Sequence, residues 1–309
     1  MAAVLRDFVA PFDRMAVAEA SALLASEYGV AAVSLTLLDT ERDDSYRVTT
    51  AEREFVLKVA HPADDRAVID LQVAAVMHAS RAGLPVPTVV PAVSGALTSR
   101  WNGRSARLYS WLDGSLLRSV TPTAPQLFSC GAMLGALSVA LAHFEHPAAD
   151  RVIVWDLAHL DLLAPLARDP LTRVVVARFA RDVEPRLAGL PRQVIHNDFH
   201  TGNVLVEEAA PSFVVGILDF GDTVHTARVC DLGVSLAYLL PAHGPIWSAV
   251  QPFIDGYASV VPLQPEEREL LPDLVAARLV QRILIHTARD PENDSAPNRA
   301  LLERLLAEN

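Results

Sequence analysis

Cysteine is scarce in this chain. Cys130 and Cys230 are the only two in 309 residues, so no disulfide framework holds the fold and a reducing compartment, the cytoplasm, is the expected setting. Basic charge is in deficit too. Against 37 acidic residues there are 26 lysines and arginines, a formal net charge of −11, and no Lys/Arg-rich run offers the basic face that duplex phosphates demand. Nucleic acid is therefore not an expected partner. Long apolar runs are also wanting: a bilayer span takes about 20 consecutive apolar residues, whereas stretches 131–142 and 232–240 are short or carry polar breaks. No membrane partner is expected. At the N-terminus, MAAVLRDFVAPFDR sets Arg6, Asp7, Asp13 and Arg14 among its apolar residues, so the basic start and apolar block of an export signal are not readable. Apolar residues as a class are plentiful, at 51% with only 20% charged, enough for a large core and far from a disordered composition. The length allows about two domains.

The front of the chain reads as strands. Residues 33–39, 45–50 and 54–60 are rich in β-branched or aromatic side chains and are separated by charged turns, the pattern of an antiparallel meander. Residues 64–82 have no breaker and place Val68, Leu71, Ala75 and Val76 at helical spacing before Gly83 and the prolines at 85 and 87, which predicts a helix. Segments 88–98 and 105–112 read as extended, with a turn at Trp101-Asn102-Gly103. Beyond Asp113-Gly114 the composition shifts. Residues 123–144 form an Ala/Leu-rich pattern that is apolar almost all round, as in a buried helix. Further helical patterns fill 156–168, 171–189, 226–240, 246–260 and 266–288, and strand-like runs lie at 193–195, 204–206 and 213–218.

Chemistry concentrates between residues 196 and 222, HNDFHTGNVLVEEAAPSFVVGILDFGD. Here His196-x-Asp198 is followed by Asn203, and an apolar strand leads into Asp219-Phe220-Gly221. Phosphoryl transfer relies on positioning and charge stabilisation. One carboxylate must face the acceptor hydroxyl, while another carboxylate and an amide oxygen hold magnesium. Asp198, Asp219 and Asn203 suit those parts, and the strands flanking each loop are expected to bring them to one edge of a small sheet. Upstream, Phe55-Val56-Leu57-Lys58-Val59 sets a lone lysine in an apolar strand. A buried ammonium needs an anion, and a nucleotide phosphate would serve.

The order of parts, a lysine on the third strand, a helix, HxDxxxxN and then DFG, matches a kinase signature set. Over nearly its whole length the chain resembles the aminoglycoside phosphotransferase and choline kinase-like family of the protein-kinase-like fold. Within it, IHNDFHTGNVLV and GILDFGDTVHTARVCDLGVSLAYLL are most similar to hydroxylysine kinase-like members. The resemblance implies an α+β, two-lobed fold: an N-terminal antiparallel sheet with a helix, residues 1–112, as the nucleotide-binding lobe, a hinge at about 110–114, and a mainly helical catalytic and substrate-binding lobe over 113–309. It implies a cytoplasmic small-molecule kinase that uses Mg2+ and moves the γ-phosphoryl group of ATP or GTP to a hydroxyl of an amino-bearing metabolite. A hydroxylysine-like acceptor is favoured; aminoglycoside, homoserine and choline-type acceptors are the alternatives, and a non-catalytic nucleotide-binding module is another. By position it implies Asp198 as catalytic base, Asn203 and Asp219 as metal ligands, Lys58 on the α- and β-phosphates, and nucleotide contacts from the hinge at Ser110 and Leu112, next to Trp111. His196 would support the catalytic loop, and Asp231 would brace it from the following helix.

Two departures from the family pattern stand out. The first turn, Thr40-Glu41-Arg42-Asp43-Asp44, contains no glycine, so the Gly-rich cover over the phosphates is missing. Where the family has a glutamate to pair the lysine, this chain has Gln72, with Asp70 two residues earlier on another helix face. Simpler roles compete elsewhere. Asp231 could be an ordinary helix cap, and His196 with His200 could be a zinc pair, although Asn197 stands where a metalloprotease has glutamate. After the DFG, Asp222 and His225 are candidates for an acceptor's amine and Arg228 for its carboxylate, against a background of ordinary loop hydrogen bonding.

Overall fold

The computed structural model describes residues 12–40, 42–210, 212–290, 292 and 295–308. Most of the segment examined for an export signal, up to Pro11, and Glu41 of the first turn lie outside them. The chain divides after Asp113 into two compact units, one within Ala10–Asp113 and the other from Gly114 onward.

In the first unit, helix α1 (Val17–Tyr28) precedes strands β1 (Ser34–Leu37), β2 (Asp44–Thr49) and β3 (Glu54–Val59), then helix α2 (Arg66–Arg81) and strands β4 (Val89–Val90), β5 (Ser99–Trp101) and β6 (Arg104–Ser110). The strands form one antiparallel sheet in the order β1-β2-β3-β6-β4, with β5 on β6. Alternation sends Tyr46, Val48, Phe55, Leu57 and Val59 into a core shared with Leu23 and Leu24 of α1. The intervening residues of β3 take the other face, and there Lys58 stands opposite Arg107 of β6. Asp65 caps α2 by accepting from Ala67 N at 2.9 Å. The extended run expected over 88–98 is mostly turn: only Val89–Val90 pairs there, and the hairpin strand begins at Ser99. Its turn places Asn102 and Gly103 at positive φ.

The second unit opens with β7 (Ser115–Leu116) and helix α3 (Ala124–Leu141), followed by a 3-10 segment (Leu157–Leu166), α4 (Pro170–Arg178), a π turn (Phe179–Val183) and α5 (Glu184–Leu187). Strands β8 (Arg192–Ile195), β9 (Val204–Val206), β10 (Val214–Ile217) and β11 (Val224–Ala227) come next, then helices α6 (Val229–Leu239), α7 (Ile246–Val260), α8 (Pro265–Arg289) and α9 (Ala296–Glu308). By length and composition α3 could cross a bilayer, with mean hydropathy 1.5 over 18 residues. The polar breaks noted in the sequence do not prevent that. In the fold it packs along α7 instead, at backbone contact: a Cβ on Gly131 would collide with Phe253 O, and one on Gly256 with Phe128 O.

Three expectations are corrected here. The helix expected over 171–189 passes through a π turn, because Pro185 has no N–H to give the carbonyl one turn back. The helix expected from 226 starts at Val229, since the β-branched run before it pairs with β8. The small sheet is two ladders, β10-β9-β7 and β11-β8. The strands on either side of the loop over 196–203 therefore belong to different ladders, and the loop bridges them.

Candidate active site

The loop between β8 and β9 is held from below by its own backbone donors. Asp231, in the first turn of α6, accepts from His196 N at 3.1 Å and from Asn197 N at 2.7 Å. It is 1% exposed, and burial pushes its carboxyl up to about 7. These bonds reach across to the loop, so the side chain is a brace and not a cap for its own helix. Asn197 takes up φ +63°, a left-handed conformation uncommon for a residue with a Cβ. Its Nδ2 donates to Trp155 O at 3.3 Å.

His196 joins this loop to the DFG strand. Its Nδ1 accepts from Asp198 N at 3.2 Å, so Nε2 carries the proton and donates to Leu218 O at 3.0 Å. Burial holds the imidazole below its usual range, neutral, while the Asp198 and Asp219 carboxylates act on it in the opposite sense. Leu218 N in turn donates to Asn203 O at 2.8 Å. Both ring nitrogens of His196 are thus engaged, which removes the zinc pairing with His200. Among the described residues, no three His, Cys, Asp or Glu side chains are grouped to hold a metal.

Asp198 sits at the mouth of this scaffold, its side chain 20% exposed. Its Oδ2 accepts from Asn203 Nδ2 at 2.7 Å and its Oδ1 from Arg278 Nη2 at 3.0 Å. Arg278 itself is buried under the Trp155 ring, 4.5 Å from the ring centre, with Nη1 on Trp155 O at 3.0 Å. A fixed guanidinium therefore aims the carboxylate. His200 Nε2 lies 3.4 Å from Asp198 Oδ2, and its ring stacks on Tyr238 at 4.3 Å. Asp219 follows with φ +58°, and its Oδ1 accepts from Gly221 N at 3.1 Å. Two non-glycine residues at positive φ, each two positions past the end of a strand, are the sort of cost that surrounding structure sustains at functional sites. The donor set fits a magnesium ion: with its amino group turned to Asp198, Asn203 presents Oδ1, and the Asp219 carboxylate adds hard oxygens.

In the first unit, Lys58 Nζ lies 4.0 Å from Asp43 Oδ2. Arg107 Nη2 donates to the same Asp43 oxygen at 2.7 Å and to Gln72 Oε1 at 2.7 Å. Gln72, in the place of the family's lysine-pairing glutamate, thus has its oxygen engaged by a second cation. Arg107, opposite Lys58 across the ladder and 1% exposed, takes the oxygen of Gln72, and the acid beside Lys58 comes from the glycine-free turn. Asp70 lies elsewhere, accepting from Thr98 Oγ1 at 3.1 Å. Ser110 closes β6, its N donating to Thr88 O and its Oγ accepting from Thr88 N, both at 2.9 Å. Trp111 N donates to Glu54 O, and Leu112 follows, half-buried.

Of the three residues named after the DFG, Asp222 acts through its charge on Arg278, the arginine bonded to Asp198. His225 lies on β11 and meets Asp150 Oδ1 at 2.9 Å. Arg228 is tied to Glu267, a fully buried carboxylate, by two bonds of 2.8 Å. Its guanidinium is committed to the fold and not to an acceptor. Sequence reasoning missed Arg278 and Asp43. For Arg278 a signal existed: Arg278, Gln281 and Arg282 fall at i, i+3 and i+4 inside the otherwise apolar LVAARLVQRILI, one polar face on a buried helix.

Comparison with known proteins follows the same lines. A family model described as "Phosphotransferase enzyme family" (APH) matches residues 35–270. A hydroxylysine kinase from Danio rerio is 29% identical, with 86% of this chain and 83% of the relative aligned. A homoserine kinase from Methylobacillus flagellatus is also 29% identical, with 85% of this chain and 83% of the relative aligned. The solved structure of a microcompartment-associated aminopropanol kinase superposes with a TM-score of 0.74 at 22% identity, covering 95% of this chain and 98% of that one. With a kinase-like fold, a loop that presents Asp198 and Asn203 beside the DFG strand, and a family match over most of its length, the chain belongs to the APH phosphotransferase family.

Proposed function

We propose that the chain is a small-molecule kinase that moves the γ-phosphoryl group of ATP or GTP to a hydroxyl of a small amino-bearing metabolite, with a hydroxylysine-like acceptor favoured. The observation that carries this is the hydrogen-bonded frame in which His196 links Asp198 to Leu218, the residue before Asp219. In the reaction the acceptor oxygen bonds to the γ-phosphorus, the bond from that phosphorus to the bridging oxygen breaks, and the acceptor proton passes to Asp198. Arg278 and Asn203 hold that carboxylate in place. Mg2+, held by Asn203 Oδ1 and Asp219, would neutralise charge on the phosphates. Residues 1–112 serve as the nucleotide lobe, with Lys58 for the α- and β-phosphates and the hinge at Ser110 and Leu112 for the base. Buried thiols suit a cytoplasmic setting: both cysteines are free, and burial pushes Cys130 up to about 12.

The test is an acceptor panel of amino alcohols and hydroxy amino acids, run with Mg2+ and either nucleotide. At least one acceptor should be phosphorylated, and chelation of the metal should abolish turnover. Asp198→Asn should lower turnover about 10³-fold while nucleotide binding persists. Wild-type turnover by that variant would show the base to be misassigned.

A further inference from the structure

We propose that Arg282 anchors a carboxylate on the acceptor, so that the enzyme acts on a hydroxy amino acid in preference to the corresponding amino alcohol; this rests on the kinase reading above. Arg278, Gln281 and Arg282 share one face of α8, but their commitments differ. Arg278 is spent on Asp198 and Trp155. Gln281 Nε2 donates to Val154 O at 3.1 Å and Asp156 O at 3.0 Å. Arg282 makes one hydrogen bond among the described residues, Nη1 to Ala237 O at a long 3.3 Å, and its buried Nε has no partner. No described aspartate or glutamate forms an ion pair with it.

A guanidinium drawn out of water without an acid is costly, and the cost is recovered when an anion arrives. Burial and the neighbouring Arg278 both lower its proton affinity, as expected for a cation lacking a counterion. Its planar fork matches a carboxylate in bidentate fashion, and it lies over the Tyr238 ring, 4.1 Å from the centre, which fixes its plane. That ring also locates it. Tyr238 stacks on His200, and His200 Nε2 is 3.4 Å from Asp198 Oδ2. Arg282 is thus one helical turn, about 5.4 Å, beyond the arginine that aims the base. An acceptor with hydroxyl oxygen and carboxyl carbon about four or five bonds apart, at ~1.2 Å per bond when extended, spans such an offset.

The experiment compares wild type with Arg282→Met on two acceptor pairs that differ only in the carboxylate: homoserine against 3-aminopropan-1-ol, and 5-hydroxylysine against 1,5-diaminopentan-2-ol. Wild type should prefer the acid of at least one pair in kcat/KM. Arg282→Met should cut that preference about 30-fold, as loss of a charged bidentate contact predicts, through KM for the acid. Because an unpaired charge is removed, melting temperature should hold or rise. An undiminished preference would overturn the proposal. So would a rise confined to the nucleotide KM, which would make Arg282 a phosphate contact, or a wild-type preference for the decarboxylated partner. Should the methionine variant fail to fold, Arg282→Lys keeps the charge without the fork and must lose preference in the same direction. If wild type phosphorylates nothing, the kinase reading fails. The anchor is then judged by calorimetry, where homoserine or hydroxylysine must bind wild type more tightly than the variant, and equal binding would overturn it.

Discussion

Lys58 and Asp198 are both charged side chains framed by arginine, yet they are held by different means. Lys58 rises from a regular strand, and its acid, Asp43, comes from a turn, both side chains 14% exposed. Asp198 sits on an irregular loop whose backbone is pinned by Asp231 and His196 and whose carboxylate is aimed by a buried arginine. At 4.0 Å the Lys58–Asp43 contact is longer than a hydrogen bond and can be exchanged for a ligand at small cost. The bonds of 2.7 and 3.0 Å on Asp198 and those of Asp231 below it cannot, because an orphaned buried partner forfeits its full desolvation penalty. The Lys58–Asp43 contact is therefore able to change, and the Asp198 frame stays preorganised.

The sharpest way to break this contrast is Asp231→Ala. It strands His196 N–H and Asn197 N–H, and denaturant unfolding should record a loss of about 2–5 kcal/mol together with lost turnover. A variant as stable as wild type would mean the loop needs no brace. Lys58→Ala is the counterpart in the other unit. It should raise the nucleotide KM about 10- to 100-fold with little change in unfolding, and unaltered nucleotide kinetics would remove the lysine from the phosphate site.

Acidity separates the buried groups further. Asp231 is pushed up to about 7 from its ordinary 3.8, so it keeps its proton in the fold where the unfolded chain has lost it. Its contribution is present in acid and fades as pH rises towards 7. His196 is held below its ordinary 6.5. Its contribution is present above that value and is lost as pH falls through the folded one. Asp231→Asn removes the first effect and leaves the second, so melting temperature should fall more steeply than in wild type from pH 7 to pH 5. Parallel curves would mean Asp231 is ionised in the fold. The smallest effect belongs to Asp43→Asn. Taking a negative charge from beside the phosphate site should tighten nucleotide binding by about 3-fold, more at low salt than at high. Weaker binding would make Asp43 a necessary orienter of the lysine.

Much of this was legible beforehand. The three strands at 33–39, 45–50 and 54–60 and the helix at 64–82 each stand within a few residues of where alternation and periodicity put them. The His196-to-Asn203 spacing marked a single loop, and the structure places both side chains on it at Asp198. Partners were harder. Gln72 was aligned with a glutamate's place on α2, but nothing local says that Arg107, 35 residues away, claims its oxygen. Arg228 stood as a candidate for an acceptor's carboxylate because Glu267, which neutralises it, lies 39 residues on. Thr226 and Ala227 were absorbed into a helix because the strand they pair with, Arg192–Ile195, is remote.

What the sequence determined by itself was short-range: which stretches bury one face, where the backbone turns, and that two acids, an amide and a lysine of the right kinds occur in a kinase's order. Those follow from bonded spacing and hydrophobic period, which any window of the chain contains. Only the tertiary structure decided which charge meets which. It gave Arg278 to Asp198, Arg107 to Gln72 and Glu267 to Arg228, and left Arg282 without a carboxylate among the described residues. Pairing of charges depends on distance through space and on the water removed around them, and both are set only when remote segments have packed together.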